Sequence, residues 1–257
     1  MGLVSNNIVI SNLQVQPNIK EFISSESIIS ATTSVTTTNL PPATIEGDLM
    51  FAVYAVQAFS GPSNWWSEPV YWTQILDYHS PISGVSFKVA QPGDVGFTWS
   101  QTVTSPISFL HLSFRNVVID TIGSVSAAVS NNSTITVPGV TTTTFNTIIL
   151  LFIISSEAFR APSTPSGFTL RAQTVSPQAS ASRPSVFVYM RDEPGIVVTP
   201  GNAFTNFSDS IGLHIGMQIA LKYSEYVSPG GGGGDFGDGG GDGGGGGDGG
   251  GGGDGGI

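Results

Sequence analysis

From Ile8 to Lys222 the chain runs in short β-branched and aromatic segments, interrupted about every ten residues by proline or glycine. Apolar positions alternate with polar ones or form brief continuous runs, and helical spacing is nearly absent. The pattern predicts strands at Ile8–Gln16, Ile28–Thr37, Asp48–Ala58, Val70–Leu76, Gly84–Ala90, Gly96–Thr102, Ile107–Arg115, Ile135–Val137, Thr147–Ile154, Gly167–Val175, Ser185–Arg191 and Ile211–Lys222. Many short strands with turn residues between them indicate a sandwich or a barrel.

The order of elements recurs about 100 residues later, at the period expected of a repeated supersecondary unit. Gly47–Val56 has a counterpart in Asn146–Ser155, and Val70–Leu76 in Ser166–Ala172. The run from Ser86 to Pro92-Gly93 matches that from Val188 to Pro194-Gly195, and Ile107–Arg115 matches Leu213–Lys222. Neither copy can bury its apolar face alone. The expected fold is therefore all-β: a two-sheet antiparallel sandwich of jelly-roll type built from two pseudo-repeats. Residues 1–46 read as an N-terminal arm of extended or edge strands and 47–229 as the duplicated sandwich. Residues 230–257 form a glycine- and aspartate-rich tail.

That tail holds 21 glycines and five aspartates without a basic residue, too little apolar surface to offset its ordering entropy. Asp242, Asp248 and Asp254 stand six apart and would share one side of a three-residue-per-turn helix, which makes them candidates for tail interaction. An isolated tail is expected to act as a flexible tether.

Composition removes several classes. Eight Lys and Arg against 18 Asp and Glu leave a net charge of −10, with no basic stripe for a nucleic-acid backbone. There is no cysteine, hence no disulfide framework and no thiolate metal site. The first twenty residues lack the pattern of a signal peptide, and the run Ile148–Ile154 is too short to span a bilayer. The expectation is a protein made in the cytoplasm, without membrane insertion, and released by lysis.

The aromatic cluster Trp65, Trp66, Tyr71, Trp72 and Tyr78 holds the best ligand candidates, because exposed Trp and Tyr faces stack on sugars and anchor interfaces. Trp72 lies on a strand whose repeat partner is Phe168 and reads as core. Trp65, Trp66 and Tyr71 remain as candidates for a glycan or a partner. His79, His111 and His214 have no metal-ligand spacing, and His111 and His214 fall at comparable places in the two long strands. Asp235-Phe236-Gly237 lacks every companion of the kinase magnesium motif, and Asp192-Glu193 read as turn residues. No catalytic, metal or cofactor site is expected.

The residues GDLMFAV, then W-T, VSFKVAQPGD, F-T-W and F-R-N-V, with a second half ending I-A-L-K, resemble a β-sandwich domain common in phage tail and fibre proteins. The resemblance covers roughly Asp48 to Tyr223. It implies a virion structural or receptor-binding role and carries over no catalytic residue. Glycine-rich ends also occur in phage adhesins, though there as several runs between variable loops, whereas this chain has one uninterrupted run. The expected function is a tail-fibre or receptor-binding component, probing a host surface glycan and assembled with other virion proteins as a homo-oligomer, a trimer above all. The alternatives are a capsid-surface decoration protein and a carbohydrate-binding module of a surface adhesin.

Overall fold

A computed structural model describes residues 21–37, 39–56, 66–79, 82–128, 135–156, 162–174, 184–196, 202–204 and 213–224. The expected strand Ile8–Gln16 and the glycine tail lie outside them. The described residues form fourteen strands: β1 Glu21–Thr37, β2 Leu49–Val56, β3 Trp66–Ser67, β4 Thr73–His79, β5 Ile82–Val89, β6 Phe97–Arg115, β7 Val117–Ile122, β8 Ser126–Ala128, β9 Ile135–Val137, β10 Thr147–Ser155, β11 Thr169–Thr174, β12 Ser185–Glu193, β13 Asn202–Phe204 and β14 His214–Tyr223. Every ladder is antiparallel.

Two six-stranded sheets carry the same order. The first reads β1-β6-β2-β5-β4, and the second, from its opposite edge, β7-β14-β10-β12-β11. Each pseudo-repeat thus builds one whole sheet. The fold shares the two facing antiparallel layers of a jelly roll, while its main path changes layer once, at Asn116. That residue takes a φ of 58° between β6 and β7, and its carbonyl accepts a bond from Ser224 N at 3.1 Å.

The ladders fix which residues correspond. Phe114 stands opposite Leu49 as Leu221 stands opposite Ile148, and Val89 opposite Leu49 as Asp192 opposite Ile148. Aligning the two Pro-Gly turns instead shifts β5 against β12 by one residue, which exchanges the faces of a strand. Even the bulges coincide, at Ile75 in β4 and Arg171 in β11. β1 supplies the edge strand of the first sheet, where β7 stands in the second.

Alternation builds the interior. Leu49, Phe51, Val53 and Ala55 of β2 face Ile148, Leu150, Phe152 and Ile154 of β10, and the Phe51 and Phe152 rings meet at 5.7 Å. The other faces are covered as well, which explains why β2 and β10 are buried along their whole length. Trp99 and Phe109, ten residues apart in β6, meet with ring centres 4.6 Å apart, so this strand folds back over its own sheet. The β1 ladder shifts register between Thr32 and Ser34 at that bend. On the second sheet the short β9–β13 ladder plays the same part, with Ile135 and Val137 packed on Ile149, Leu151 and Ile153.

Candidate functional site

The turn entering β4 is closed by Trp72 N donating to Pro69 O at 3.4 Å, and its third residue, Tyr71, has a φ of 73°. The matching turn before β11 is closed by Phe168 N and Pro165 O at 3.1 Å, with Gly167 at a φ of 80°. Turns of this kind favour glycine there, and a bulky side chain at positive φ is strained. Trp72 pins the first turn inward, edge-on to Phe97 and Trp99 at 5.2 Å each. Tyr71 is left outside, 85 % exposed, beside Val70 at 72 %.

Tyr71 forms one wall of an open groove of about 480 Å³, lined also by Lys88, Val89, Gln91 and Asp94. Asp94 Oδ2 accepts from Lys88 Nζ at 2.5 Å and from Gln91 N at 2.8 Å, and Gln91 Nε2 donates to Val89 O at 3.3 Å. The Lys88 ammonium also lies 5.4 Å from the centre of the Phe97 ring. These bonds fix polar groups of both signs next to one exposed aromatic face. In the second sheet the corresponding cation, Arg191, lies over Phe168 at 4.8 Å, and its Cδ is 3.2 Å from where a Cβ on Gly167 would be. Arg191 therefore closes over the position that Tyr71 leaves open.

A second polar network lies along the same face of β5. Ser86 Oγ donates to Glu68 Oε1, Tyr54 OH donates to the same oxygen at 3.4 Å, and Gln74 Nε2 donates to Tyr54 OH at 3.1 Å. Burial, above all, pushes the Glu68 carboxyl upward, with nearby Asp77 adding to it, while the bonds from Ser86 and Tyr54 oppose the shift. Burial likewise holds the Tyr54 phenol well above its ordinary range. Sequence reasoning missed Tyr54, Glu68, Gln74 and Ser86. The available signal was Gly84 and Ser86, small residues on alternate positions of an otherwise bulky strand.

The structure places the expected site residues unevenly. Tyr71 lines the groove; Trp66 is the first residue of β3, opposite Gln101 in the ladder. Trp65 and the tail residues Asp242, Asp248 and Asp254 lie outside the described residues. Trp72 packs as core and Tyr78 leans on the inter-sheet interior. The expected correspondence of His111 with His214 is corrected by the ladders: His111 matches Gln218, and His214 matches Ile107. Both imidazoles are buried, which lowers His111 to about 3 and His214 to about 4. His214 Nδ1 is 2.9 Å from Ser155 Oγ, whereas neither ring nitrogen of His111 has a hydrogen-bond partner among the described residues. Among the described residues no three His, Asp or Glu side chains are grouped to hold a metal ion.

The chain matches no protein-family model, no curated protein and no solved structure.

Proposed function

We propose that the protein is a non-catalytic attachment component of a virion, of the tail-fibre or receptor-binding kind, with its sandwich as a rigid mount for binding groups. The observation that carries this reading is the contrast between Tyr71 and Gly167. One turn occurs twice, and in one copy an aromatic ring is held in solvent at a backbone angle where glycine costs less. A ring kept there at a loss of stability is better accounted for by contact with something outside the chain than by folding. Each contact is weak, so attachment rests on avidity from several copies, a trimer being the expected assembly, with the tail as a tether. Virion placement and the likeness to tail and fibre sandwiches belong to the same reading, and a capsid-surface decoration protein is its nearest rival.

The test is attachment of fluorescently labelled full-length protein, multimerised on beads, to candidate host cells. Tyr71→Ala is expected to lower bound signal by about tenfold or more, since avidity multiplies a loss at each site. Equal attachment by wild type and variant would sink the reading. Labelling of Tyr71 in intact particles, by tail or by shell, separates fibre from decoration protein.

A further inference from the structure

Deepening the attachment reading, on which it rests, we infer that the end of the sandwich at Asn116 is a protein-docking face whose partner has an apolar centre and a basic rim. The ladders bring turns of both sheets to this end. Leu49 pairs with Val89 and Phe114 where β2 begins and β5 and β6 finish, and in the second sheet Thr147 pairs with Glu193 and Val117 with Tyr223. β11 and β12 pack across from β6, and β10 across from β2, so the flank holding β4 and β5 lies over the one holding β14 and β7. Six large apolar side chains are exposed in these turns: Ile45, Val70, Tyr71 and Val95 from the first sheet, Phe145 and Ile196 from the second. Tyr71 stands in one groove, and Phe145, 66 % exposed, in another of about 570 Å³ lined also by Val118, Thr144 and Tyr223. Phe145 precedes Asn146 as Glu46 precedes Gly47, both at positive φ, so the turn folds with a charge at this position and has no need of a ring. Apolar groups gathered outside the core in this way mark an interaction surface.

The side chains favour a protein over a sugar. Aliphatic groups outnumber rings, and a polyol stacked on Tyr71 would find the neighbouring polar atoms engaged: Asp94 Oδ2 by Lys88 Nζ and Gln91 N, and Gln91 Nε2 by Val89 O. With about 100 Å² from each exposed side chain and the turn backbone between them, the face approaches the roughly 800 Å² that one partner contributes to a stable complex. Charge selects the partner further. Lys88, Arg115, Arg191 and Lys222 all lie at this end, and each is paired within the chain, with Asp94, Asp48, Glu193 and Asp120 in turn. Glu21, Glu46 and Asp192 are exposed around them, so among the described residues the rim is acidic. A phosphate or uronate surface would be repelled, and so would a second copy carrying the same rim. Lysine and arginine set around an apolar patch would be attracted.

Labelled full-length protein on beads is offered to candidate host cells left untreated, shaved with proteinase K, or oxidised with periodate. Shaving is expected to lower attachment by about tenfold or more, and oxidation to leave it within about twofold. Phe145→Ala, on the other sheet from Tyr71, should lower it by about fivefold or more, and Val95→Ser supplies a further variant if Phe145→Ala fails to fold. Glu46→Lys, which reverses a charge on the rim, should lower it by about threefold. Ile122→Thr, at an exposed residue toward the opposite end of β7, should change nothing. Attachment lost to periodate but not to proteinase, indifference to the Phe145 and Val95 variants, or a gain with Glu46→Lys overturns the inference. A wild-type dimer in sedimentation velocity that Phe145→Ala dissolves would give the face to a second copy and overturn it too. In each of these cases, attachment that still depends on Tyr71 leaves the attachment reading intact. Proteinase-sensitive attachment that falls with Phe145→Ala but ignores Tyr71→Ala does the reverse, and no attachment to any cell sinks both.

Discussion

Tyr71 adopts a backbone angle that its counterpart meets with glycine, and the cost can be measured. A non-glycine residue in the left-handed region loses about 1–2 kcal/mol, partly offset by the greater entropy that glycine loses on folding. Tyr71→Gly is therefore expected to raise stability by about 0.5–1 kcal/mol in urea unfolding while weakening attachment. A destabilised variant would mean that the ring has native contacts worth more than the strain, and that its exposure is incidental. His111 gives a second test. Its ring is enclosed by Trp72, Phe97, Trp99 and Phe109 at 5.5–6.4 Å and is lowered to about 3 by burial. The unfolded chain takes up a proton near pH 6.5 that the folded ring refuses. The stabilisation is therefore complete above that pH and falls away as the pH drops toward 3, by about 1.4 kcal/mol per pH unit at most. His111→Phe should lose less stability than wild type between pH 7 and pH 4.5, and identical losses would show that the ring is protonated in the fold or reached by water.

At the scale of elements, the two sheets solve one covering problem with opposite allocations of bulk. Phe109 of β6 corresponds to Gly216 of β14. In the first sheet Phe109 rises to meet Trp99 on the returning part of its own strand, and in the second the bare Gly216 lets Val137 of β9 settle onto the sheet. A Cβ at Gly216 would collide with Val137 Cγ2 and come within 3.2 Å of Ile153 Cδ1. Gly216→Ala is expected to cost about 1–3 kcal/mol through overpacking, with faster amide exchange in β9 and β13 and unchanged exchange in β2 and β5. Uniform loosening of both sheets would contradict this account. Legibility in the sequence follows the same physics. β2 and β10 announced themselves as continuous apolar runs because both of their faces are covered. The joint between β6 and β7 did not, since one asparagine at positive φ makes the corner and leaves no turn cluster, and Val117–Ile122 went unread as a strand. The sequence pattern separates Gly96–Thr102 from Ile107–Arg115, although Pro106 pairs with Ala31 in the ladder and the single strand folds back just before it, between Ser100 and Ser105. Of the site, Tyr71 was visible as an aromatic near a turn. The Glu68 network was not, because Tyr54, Gln74 and Ser86 come from three strands whose shared face is settled only by their register.

Over the whole molecule, duplication has divided the sheets between the two halves and left the interior to both. Each sheet is continuous in sequence, yet the apolar face of either one is closed only by the other. Phe51 leans on Phe114 and Phe87 within its own sheet and on Phe152 across the gap. Cutting such a chain at its corner should separate two bodies that cannot persist alone. Fragments 1–116 and 117–257 each expose a complete row of inward side chains, among them Leu49, Phe51, Leu112 and Phe114 in the first and Ile148, Phe152, Met217 and Ile219 in the second. Fully buried side chains of this size contribute about 1.5–3 kcal/mol each, so losing a row exceeds the 5–15 kcal/mol by which a typical domain is stable. Separately, the fragments are expected to aggregate or to show no cooperative melting, and when refolded together to form a one-to-one complex with the tryptophan emission of the intact protein. The intact chain should then melt in one transition, with Phe152→Ala lowering the stability of both sheets together by about 3–5 kcal/mol. A cooperative transition in either fragment alone would show instead that each sheet is stabilised chiefly by its own outer covering, the folded-back β1–β6 ribbon on one side and the β9–β13 ladder on the other.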